Sequence, residues 1–373
     1  PQTRSMGGIS TGVRYQAGLP ILNMANPASY SSLNRTILEA GLYGNFTQLA
    51  KGSAQDNTAD FAFSHFGFGF ALARNHGIAF GLMPYSDLGY NSTETRTMGN
   101  ITTRQSIAGE GGVNKAFIGY GFSPFKGFSI GANAGFLFGE LKDNQTVTFP
   151  YDINSLNAKS QVTRLIRGLN VDYGAQYSFP LSRKHNLTLG YSGSLNNTIK
   201  EKTSQLITRT QPSLDPDFEN VALDSLAQIG ERTRNLNLPM KHNFGITVSK
   251  GYDWMIGADF KYADWSDFQT RAGEAPLGKN YGVAVGGQFK PDATSNKYLD
   301  IVDYRLGFRY NQGHIYANNT RINDMAVTVG FGLPLPETNF GRTSSRINIS
   351  AEIGQQGTFE NNLARERYIN INI

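Results

Sequence analysis

Strict alternation between apolar and small or polar residues runs through most of the chain. In Phe128–Gly139 apolar residues occupy every second position, and mainly Gly, Ser and Asn stand between them. Successive side chains of a strand face opposite sides of a sheet, so the pattern predicts a strand with one oily and one polar face. Fourteen such strands are predicted, at Leu38–Phe46, Phe66–Leu72, Ile78–Leu82, Val113–Phe122, Phe128–Gly139, Leu165–Phe179, Leu187–Leu195, Phe244–Val248, Trp254–Tyr262, Tyr281–Phe289, Tyr304–Tyr310, Met325–Leu333, Ile347–Ile353 and Ile369–Ile373.

The connections between these strands alternate in length. Short turns such as 180–184 and 250–253 interleave with long polar stretches, the longest of which are 141–160 and 201–239. Short turns on one side, long loops on the other and an even strand count are typical of outer-membrane barrels. The sequence therefore predicts an all-β protein, a transmembrane antiparallel β-barrel over 37–373 in the Gram-negative outer membrane. Both termini are expected on the periplasmic side, and membrane lipids are its first partners.

A soluble β-sandwich would also alternate, but the distribution of residues argues against it. The face opposite the oily one carries Gly, Ser, Asn and scattered charges, which suits a wet or filled lumen. Aromatic residues such as Tyr177, Trp254, Phe289 and Tyr310 stand near predicted strand ends, where membrane-interface girdles lie.

The first 36 residues do not alternate. They contain Gly7-Gly8, Gly12, Gly18 and Asn26-Pro27-Ala28, a density of Gly and Pro that marks irregular backbone. Irregular backbone does not face lipid, but it is tolerated inside a protein-lined space. We therefore expect residues 1–36 to form a plug, or hatch, within the lumen.

Composition excludes several classes of protein. The chain has no Cys, so it has no disulfide scaffold, thiolate metal site or Cys nucleophile. The net charge of +5 comes from 34 Lys and Arg against 29 Asp and Glu, spread along the chain without a basic block. Nucleic-acid binding, which needs a clustered basic face, is therefore not expected.

Enzymatic and metal chemistry are weakly supported. Gly127-Phe128-Ser129-Ile130-Gly131 matches the G-x-S-x-G string, but that motif requires a strand, a turn and a helix. The string here begins a predicted strand, so an outer-membrane lipase would need a His close to Ser129. The five His residues are isolated and have no metal-ligand spacing. We expect no enzyme activity, no catalytic residues, no metal and no cofactor.

Charges on the predicted lumenal face form a further group of candidate residues. Asp259 and Lys261 share one face of a strand, as do Asp303, Arg305 and Arg309 on another. Buried charges must be paired, so ion pairs that tie the hatch to the wall are the structural interpretation. The functional interpretation is that Arg305 or Arg309 attracts an anionic head group.

Short motifs resemble the FadL/TodX family of outer-membrane transporters for long-chain fatty acids and other hydrophobic compounds. Arg4-Ser5-Met6-Gly7-Gly8 followed by Asn26-Pro27-Ala28 is similar to the family's hatch signature. Leu238-Pro239, then Trp254 and Trp265-Ser266-Asp267-Phe268, resembles its mid-barrel pattern. The stretches 141–160 and 201–239 correspond in position to the family's two large extracellular loops.

The resemblance implies a mechanism for passive uptake. A hydrophobic ligand lands between the long loops, moves to a pocket above the hatch and leaves sideways through a gap beside a kinked third strand. The third strand, extended from Ile78 to Tyr90, carries Pro84, and proline is confined to strand edges or bulges. Asn26, Pro27, Ala28 and Pro84 are therefore expected to take part in ligand binding or gating.

The stretch 201–239 departs from the family because it is largely polar. Within it Phe218, Ala222, Leu226 and Ile229 recur at helical spacing. They fit either a short lid helix that contacts ligand or a docking surface for a partner protein. The alternative function is accordingly a non-transporting FadL-like barrel that serves as a subunit of an outer-membrane secretion or barrel-assembly complex and binds its partners through 201–239.

Overall fold

The computed structural model describes residues 2–16, 19–99, 101–150, 152, 155–210, 222–268, 276–336 and 344–373. Helical structure is confined to α1 (Tyr298–Ile301) and to single 3-10 segments within these ranges. The strands, in chain order, are β1 (Tyr15–Gln16), β2 (Leu19–Pro20), β3 (Ile37–Lys51), β4 (Ala54–Ala73), β5 (His76–Met98), β6 (Ile101–Phe125), β7 (Phe128–Thr148), β8 (Asn157–Pro180), β9 (His185–Ser194), β10 (Asn197–Thr210), β11 (Ala222–Leu238), β12 (Lys241–Lys250), β13 (Trp254–Asp264), β14 (Lys279–Phe289), β15 (Asp303–Ala317), β16 (Thr320–Pro334), β17 (Arg346–Gly357) and β18 (Arg365–Asn372).

Strands β3 to β18 form one antiparallel sheet that closes into a barrel. Residues 172–180 of β8 pair with β9, whereas residues 157–168 pair with β10. β9 and β10 therefore lie end to end and occupy one strand position in the ring, which we call a strand path. β11 and β12 share the next path, which is interrupted at Pro239 because proline has no N–H to donate to the ladder. The barrel thus has fourteen strands, which confirms the predicted fold class and strand count.

The two rims of the barrel differ. The short-turn rim carries the connections at 74–75, 126–127, 181–184 and 251–253 and the end of β18. The tall rim is formed by β5 to β8, which run 21 to 25 residues each, and by the β10–β11 hairpin. We name the parts of these strands that extend beyond the shorter β12, β13 and β14 the raised sheet.

The outward face of the ring is an apolar belt. Ile256, Val285 and Leu306 lie outward on neighbouring strands and are all exposed. Trp254 pairs with Phe289 at one edge of this belt, and Tyr262 pairs with Tyr281 at the other. The two aromatic rows are eight positions apart and so bound nine residues of each strand. A tilted strand needs about 9–11 residues to span a bilayer, so the belt has the length expected for a membrane span. Among the described residues, no helix is long and apolar enough to cross a membrane.

The described part of residues 2–36 lies inside the ring, in close contact with wall glycines. A Cβ at Gly286 would lie 2.2 Å from the Met6 carbonyl oxygen, and one at Gly190 would lie 2.0 Å from that of Thr11. A Cβ at Gly131 would lie 2.5 Å from Pro27. Glycine is needed wherever backbone approaches backbone this closely, so small lumenal residues make room for the N-terminal segment.

Two stretches predicted to be long loops are largely strand. β7 continues to Thr148 and β8 begins at Asn157, so 141–160 is mostly sheet, and 201–239 consists mainly of β10 and β11. The helical spacing at 222–229 was misleading, because these residues lie in β11. Phe218 lies outside the described residues. Both faces of this hairpin are wet, so its strands have no oily face and leave no period-two signal.

Candidate functional site

The wall of the barrel is interrupted beside Pro84. β4 pairs with β5 from the short-turn rim up to Phe66 and Leu82, and no pair of described residues joins these two strands beyond that point. Residues 54–65 of β4 pair there with β3, and residues 83–98 of β5 pair with β6. We name the unpaired boundary between 54–65 and 83–98 the seam.

Irregularities in both strands explain where the seam begins. The register of β4 against β3 shifts at Ser64, and the register of β5 against β6 shifts at Tyr85. A bulge bends its strand and increases the local twist. Pro84 stands next to the second bulge and has no N–H to donate. The two strands therefore diverge at this height.

Part of the seam lies within the apolar belt. Phe61 and Phe63 of β4 are exposed beside it, with Phe61 76% exposed. The Phe61 ring packs edge-on against Phe46 of β3, with 5.7 Å between ring centroids. An opening at this position therefore faces hydrocarbon.

A polar contact bridges β3 and β5 near the seam. Tyr43 of β3 donates its hydroxyl to Asp87 Oδ2 at 3.1 Å, although β4 lies between the two strands in the sheet order. Glu39 of β3 and His65 of β4 lie 3.8 Å apart just below. These polar groups line the edge of the seam that faces away from the belt.

An apolar cluster, which we name the upper apolar cluster, lies in the lumen on the tall-rim side of the N-terminal segment. Its buried members come from five neighbouring wall paths: Val113, Leu137, Ile166, Ile199, Leu236 and Leu238. Tyr85, the bulged residue of the seam, packs against this cluster, as do Trp265 and Phe268 of the 265–278 connection. Lys241 donates to the Tyr85 hydroxyl at 3.1 Å. The cluster therefore connects a rim connection with the seam.

A second apolar cluster, which we name the lower apolar cluster, lies between the N-terminal segment and the wall. Leu22, Tyr30 and Leu33 pack there against Ala79 and Phe117, with Met83 at its margin. Met83 and Tyr85 flank Pro84 in sequence. The two clusters thus meet β5 on either side of Pro84.

The Asn26-Pro27-Ala28 motif anchors the N-terminal segment. The Asn26 side-chain amide donates to the Thr11 carbonyl at 2.8 Å and to the Tyr191 carbonyl of β9 at 3.3 Å. Its side-chain oxygen accepts from the Ala28 N–H at 3.2 Å, which caps the 3-10 segment Pro27–Ser32. All three residues are buried, so the motif is positioned to hold the segment in place.

The lumenal charges divide into two groups. Asp259 Oδ2 accepts from the Ser10 N–H at 2.8 Å and the Thr11 N–H at 2.9 Å, and Lys261 donates to the Gly8 carbonyl at 3.1 Å. These two residues bind the N-terminal segment through hydrogen bonds to its backbone, rather than through the ion pairs expected from the sequence.

Arg305 and Arg309 instead connect wall strands. Arg309 pairs with Glu352 at 2.9 Å and with Asp324, and donates to the Tyr368 hydroxyl at 2.7 Å. Arg305 contacts Asp303, Gln288 and Asn348 of the wall. Among the described residues, both arginines therefore contact other wall residues rather than the N-terminal segment, unlike the ion pairs to the segment that the structural interpretation expected.

Leu226 lies on the β10–β11 hairpin and is 53% exposed, far from the lumenal clusters along the register. Arg209 and Asp224 pair near the tip of the hairpin, with Arg209 Nε donating to Asp224 Oδ1 at 2.9 Å. This hydrogen bond lowers the pKa of Asp224 below its usual value. The structure therefore separates Leu226 from the other candidate residues.

Ser129 has a structural position. It is buried, and its hydroxyl accepts a hydrogen bond from Ser31 of the N-terminal segment at 2.9 Å. It lies in β7, without the strand-to-helix turn of a nucleophile elbow. Across the described ranges, no group of three His, Asp or Glu residues has the arrangement of a metal site.

Sequence reasoning missed Tyr43, Tyr85 and Asp87. Their types and spacing carry no signal, because the seam depends on which strands stop pairing. Leu137 did carry a signal: it is a large apolar residue on the otherwise small face of Phe128–Gly139. Such exceptions to the alternation mark residues that fill the lumen.

Comparisons with solved structures agree with this architecture. The "CymD monoaromatic hydrocarbon channel" has a TM-score of 0.61 and 14% identity, with 100% of this chain and 95% of that chain covered. The P. putida toluene transporter TodX has a TM-score of 0.64 and 16% identity, with 99% and 95% covered. A Pseudomonas aeruginosa FadL homologue has a TM-score of 0.62 and 12% identity, with 98% and 95% covered.

A search of curated proteins found no match. The family model named BamG, in contrast, matches residues 1–373, the whole chain. The structural neighbours show that the fold is that of the FadL-type outer-membrane barrels, and the chain itself belongs to the BamG family.

Proposed function

We propose that this protein is an outer-membrane channel through which hydrophobic small molecules pass sideways into the bilayer. The observation that carries the proposal is the seam, where the ladder between β4 and β5 ends within the apolar belt. The solved neighbours named above as hydrocarbon and toluene channels share its fold and support this assignment.

The route begins at the tall rim, which the proposal places outside the cell with both termini periplasmic. Trp265 and Phe268 cover the upper apolar cluster and act as its lid. A fatty-acid-like ligand enters beneath them, displaces side chains of the cluster and reaches Tyr85. From there it leaves between β4 and β5 past Pro84.

The N-terminal segment, residues 1–36, acts in this proposal as a hatch that stays in place. Asn26 of the segment donates to the wall, and Asp259 of the wall accepts from the segment. The wall glycines leave the segment little space to move. A ligand stopped by the hatch has the seam as its exit. Pro27 and Ala28 contribute by keeping the hatch against the wall next to the lower apolar cluster.

Closing the seam tests the proposal. The chain has no Cys, so Tyr43→Cys and Asp87→Cys introduce the two reactive thiols needed for a bismaleimide cross-link between β3 and β5. We expect cells that express this double variant to take up a fluorescent fatty-acid analogue before cross-linking, and to lose the uptake above the empty-vector level afterwards.

The matched control cross-links strands that are already paired. Thr97 and Thr102, whose hydroxyls are 3.1 Å apart, face each other in the β5–β6 hairpin. A Thr97→Cys/Thr102→Cys cross-link should leave uptake unchanged. Equal uptake with the seam cross-linked and free would overturn the lateral route.

A second candidate function is a barrel subunit of a larger outer-membrane complex. The raised sheet favours it, because β11 pairs only with β10 among the described residues and exposes Leu223 and Leu226. An exposed strand edge is a template for pairing with another chain. The chain belongs to the BamG family, and that membership is compatible with this candidate.

Mild purification from native outer membranes separates the two candidates. A subunit would elute with other chains at a fixed ratio, and deletion of the hairpin would release them. A channel would elute alone and carry uptake by itself after transfer to another Gram-negative host.

A further inference from the structure

Three cationic side chains surround one carboxylate at the short-turn rim. Asp303, at the start of β15, lies 3.2 Å from Lys290 Nζ, 3.2 Å from Arg305 and 2.8 Å from Arg346. Lys290 follows β14, and Arg346 begins β17. The three cations therefore come from three different wall strands and meet at one end of the lumen.

The cluster carries more positive than negative charge. Asp303 is its only carboxylate within the described part of the chain, against three cations. The side chains of Asp303 and Arg305 are 0% exposed, that of Lys290 is 8% exposed and that of Arg346 is 18% exposed. Buried charge is costly unless it is paired, so an anion from solution would neutralise an excess that the wall leaves uncompensated.

Three of the five N–H groups of Arg305 already donate to wall acceptors, and its side chain is fully buried. Its Nε donates to Gln288, one terminal nitrogen donates to Asn348 at 2.7 Å, and the other donates to Asp303 at 3.2 Å. The guanidinium crosses β16 at Gly332, where a Cβ would lie 2.6 Å from it. Arg305 therefore fixes Asp303, and Asp303 in turn orients the other two cations.

Lys290 and Arg346 do have spare donors. A lysine ammonium has three N–H groups and an arginine guanidinium has five, and Asp303 is the ion-pair partner of both among the described residues. A planar guanidinium beside a compact ammonium is a favourable arrangement for a phosphate oxygen group. Arg346 is also the most exposed of the three, so an anion would meet its guanidinium first and reach the more buried Lys290 behind it.

We propose that the short-turn mouth of the lumen is a phosphate-binding site in which Lys290 and Arg346 contact the anion and the Arg305–Asp303 pair positions them. The ligand is a phosphate monoester or free phosphate, and the monoester can be the headgroup of a lipid. This inference does not depend on the proposed channel function, because it concerns the short-turn end of the lumen, away from the cluster around Leu137 and from the seam.

Calorimetric titration of the full-length barrel in a phosphate-free maltoside detergent tests the site. The probes are inorganic phosphate, short-chain phosphatidic acid and phosphatidylcholine of the same chain length. We expect saturable binding of phosphate or phosphatidic acid, weakened about tenfold or more in Lys290→Gln and in Arg346→Gln, because each removes a charge-assisted contact. The affinity of the Arg346→Lys variant should lie between those of the Gln variants and the unsubstituted protein, since lysine keeps the positive charge but loses the planar, bidentate guanidinium.

Lys184→Gln, on an exposed turn of the same rim, should bind like the unsubstituted protein. Binding of inorganic phosphate without preference for phosphatidic acid assigns a soluble ligand, and binding of phosphatidic acid alone assigns a lipid headgroup. The proposal is overturned if neither probe binds saturably, or if Lys290→Gln and Arg346→Lys, checked for folding by their melting temperatures, bind as tightly as the original.

Discussion

At the scale of single residues, the lumen is organised by two complementary features: glycines in the wall and a few polar side chains. Gly286 and Gly190 allow the backbones of the N-terminal segment and the wall to touch, which side chains would prevent. Asp259 then supplies the acceptor for two backbone N–H groups of that segment. Contacts at these positions should therefore govern whether the N-terminal segment stays packed.

Gly286→Ala should destabilise the barrel. The new Cβ would lie 2.2 Å from the Met6 carbonyl oxygen, a backbone atom that cannot rotate away. Overpacking of this kind costs about 1–3 kcal/mol, so the temperature at which the folded band disappears in semi-native electrophoresis should fall. The control is Gly230→Ala in β11, where a Cβ meets nothing within 4 Å. Equal melting of the two variants would contradict the close-contact account.

Asp259→Ala should loosen the N-terminal segment. It leaves the Ser10 and Thr11 N–H groups without their acceptor, at about 1–3 kcal/mol for each buried group. We expect limited proteolysis to cut within residues 2–36 faster than in the unsubstituted protein. Asp253→Ala, on an exposed turn where Asp253 pairs with Lys250 at 2.8 Å, is the control. Unchanged proteolysis of the Asp259 variant would show that the glycine contacts suffice.

At the scale of elements, two neighbouring strand paths extend beyond the ring that they close. β9 and β12 complete the ring, and β10 and β11 continue beyond it as a hairpin on the edge of β8. The seam is the corresponding break on the other side of the raised sheet, since the tall end of β5 pairs with β6 and not with β4. The raised sheet is thus bounded by two edges among the described strands.

Replacing residues 204–231 by a short Gly-Asn turn should leave the barrel intact. The deletion removes the tip of the hairpin but keeps Ile199, Leu236 and Leu238 in the lumenal cluster. Because the removed residues make no ladder with β9 or β12, we expect a melting temperature close to that of the full chain. Loss of a heat-modifiable folded band would mean that the hairpin is needed for ring closure.

At the scale of the whole molecule, the fold inverts the usual order of a soluble protein. Large apolar side chains such as Val285 and Leu306 face outward, while the inside holds a chain segment, polar groups and the two apolar clusters. Two concavities of about 800 and 850 Å³ lie on this outward face, lined largely by apolar residues. The arrangement is stable where hydrocarbon replaces water around the belt.

Val285→Arg should therefore destabilise the membrane-inserted protein. Val285 lies midway between the aromatic rows at Tyr281 and Phe289 and is 47% exposed. An arginine near the bilayer midplane of a barrel costs about 2–4 kcal/mol, which urea titration in lipid vesicles should report. Leu223→Arg, equally exposed but on the raised sheet, should change stability little. Similar losses in both variants would argue that the belt does not face lipid.

Local alternation along the chain was enough to predict the barrel. All fourteen stretches predicted from alternation lie within observed strand paths, apart from single residues at Leu195 and Ile373. The reason is physical: lipid requires an oily residue at every second position of a spanning strand, so the pattern is written locally. The Gly- and Pro-rich start of the chain likewise excluded regular lipid-facing structure for residues 1–36.

Tertiary structure alone decided the seam and the hairpin. Pro84 marked a local irregularity, but whether β5 pairs with β4 beyond Leu82 depends on residues twenty positions away in the chain. The partners of Arg305 and Arg309 could not be predicted from the sequence either, because Asn348 and Glu352 approach them only across β16. Strand pairing and lumenal contacts join distant parts of the chain. The alternation pattern, in contrast, reports only whether each side chain faces lipid or the lumen, and not which partner it meets.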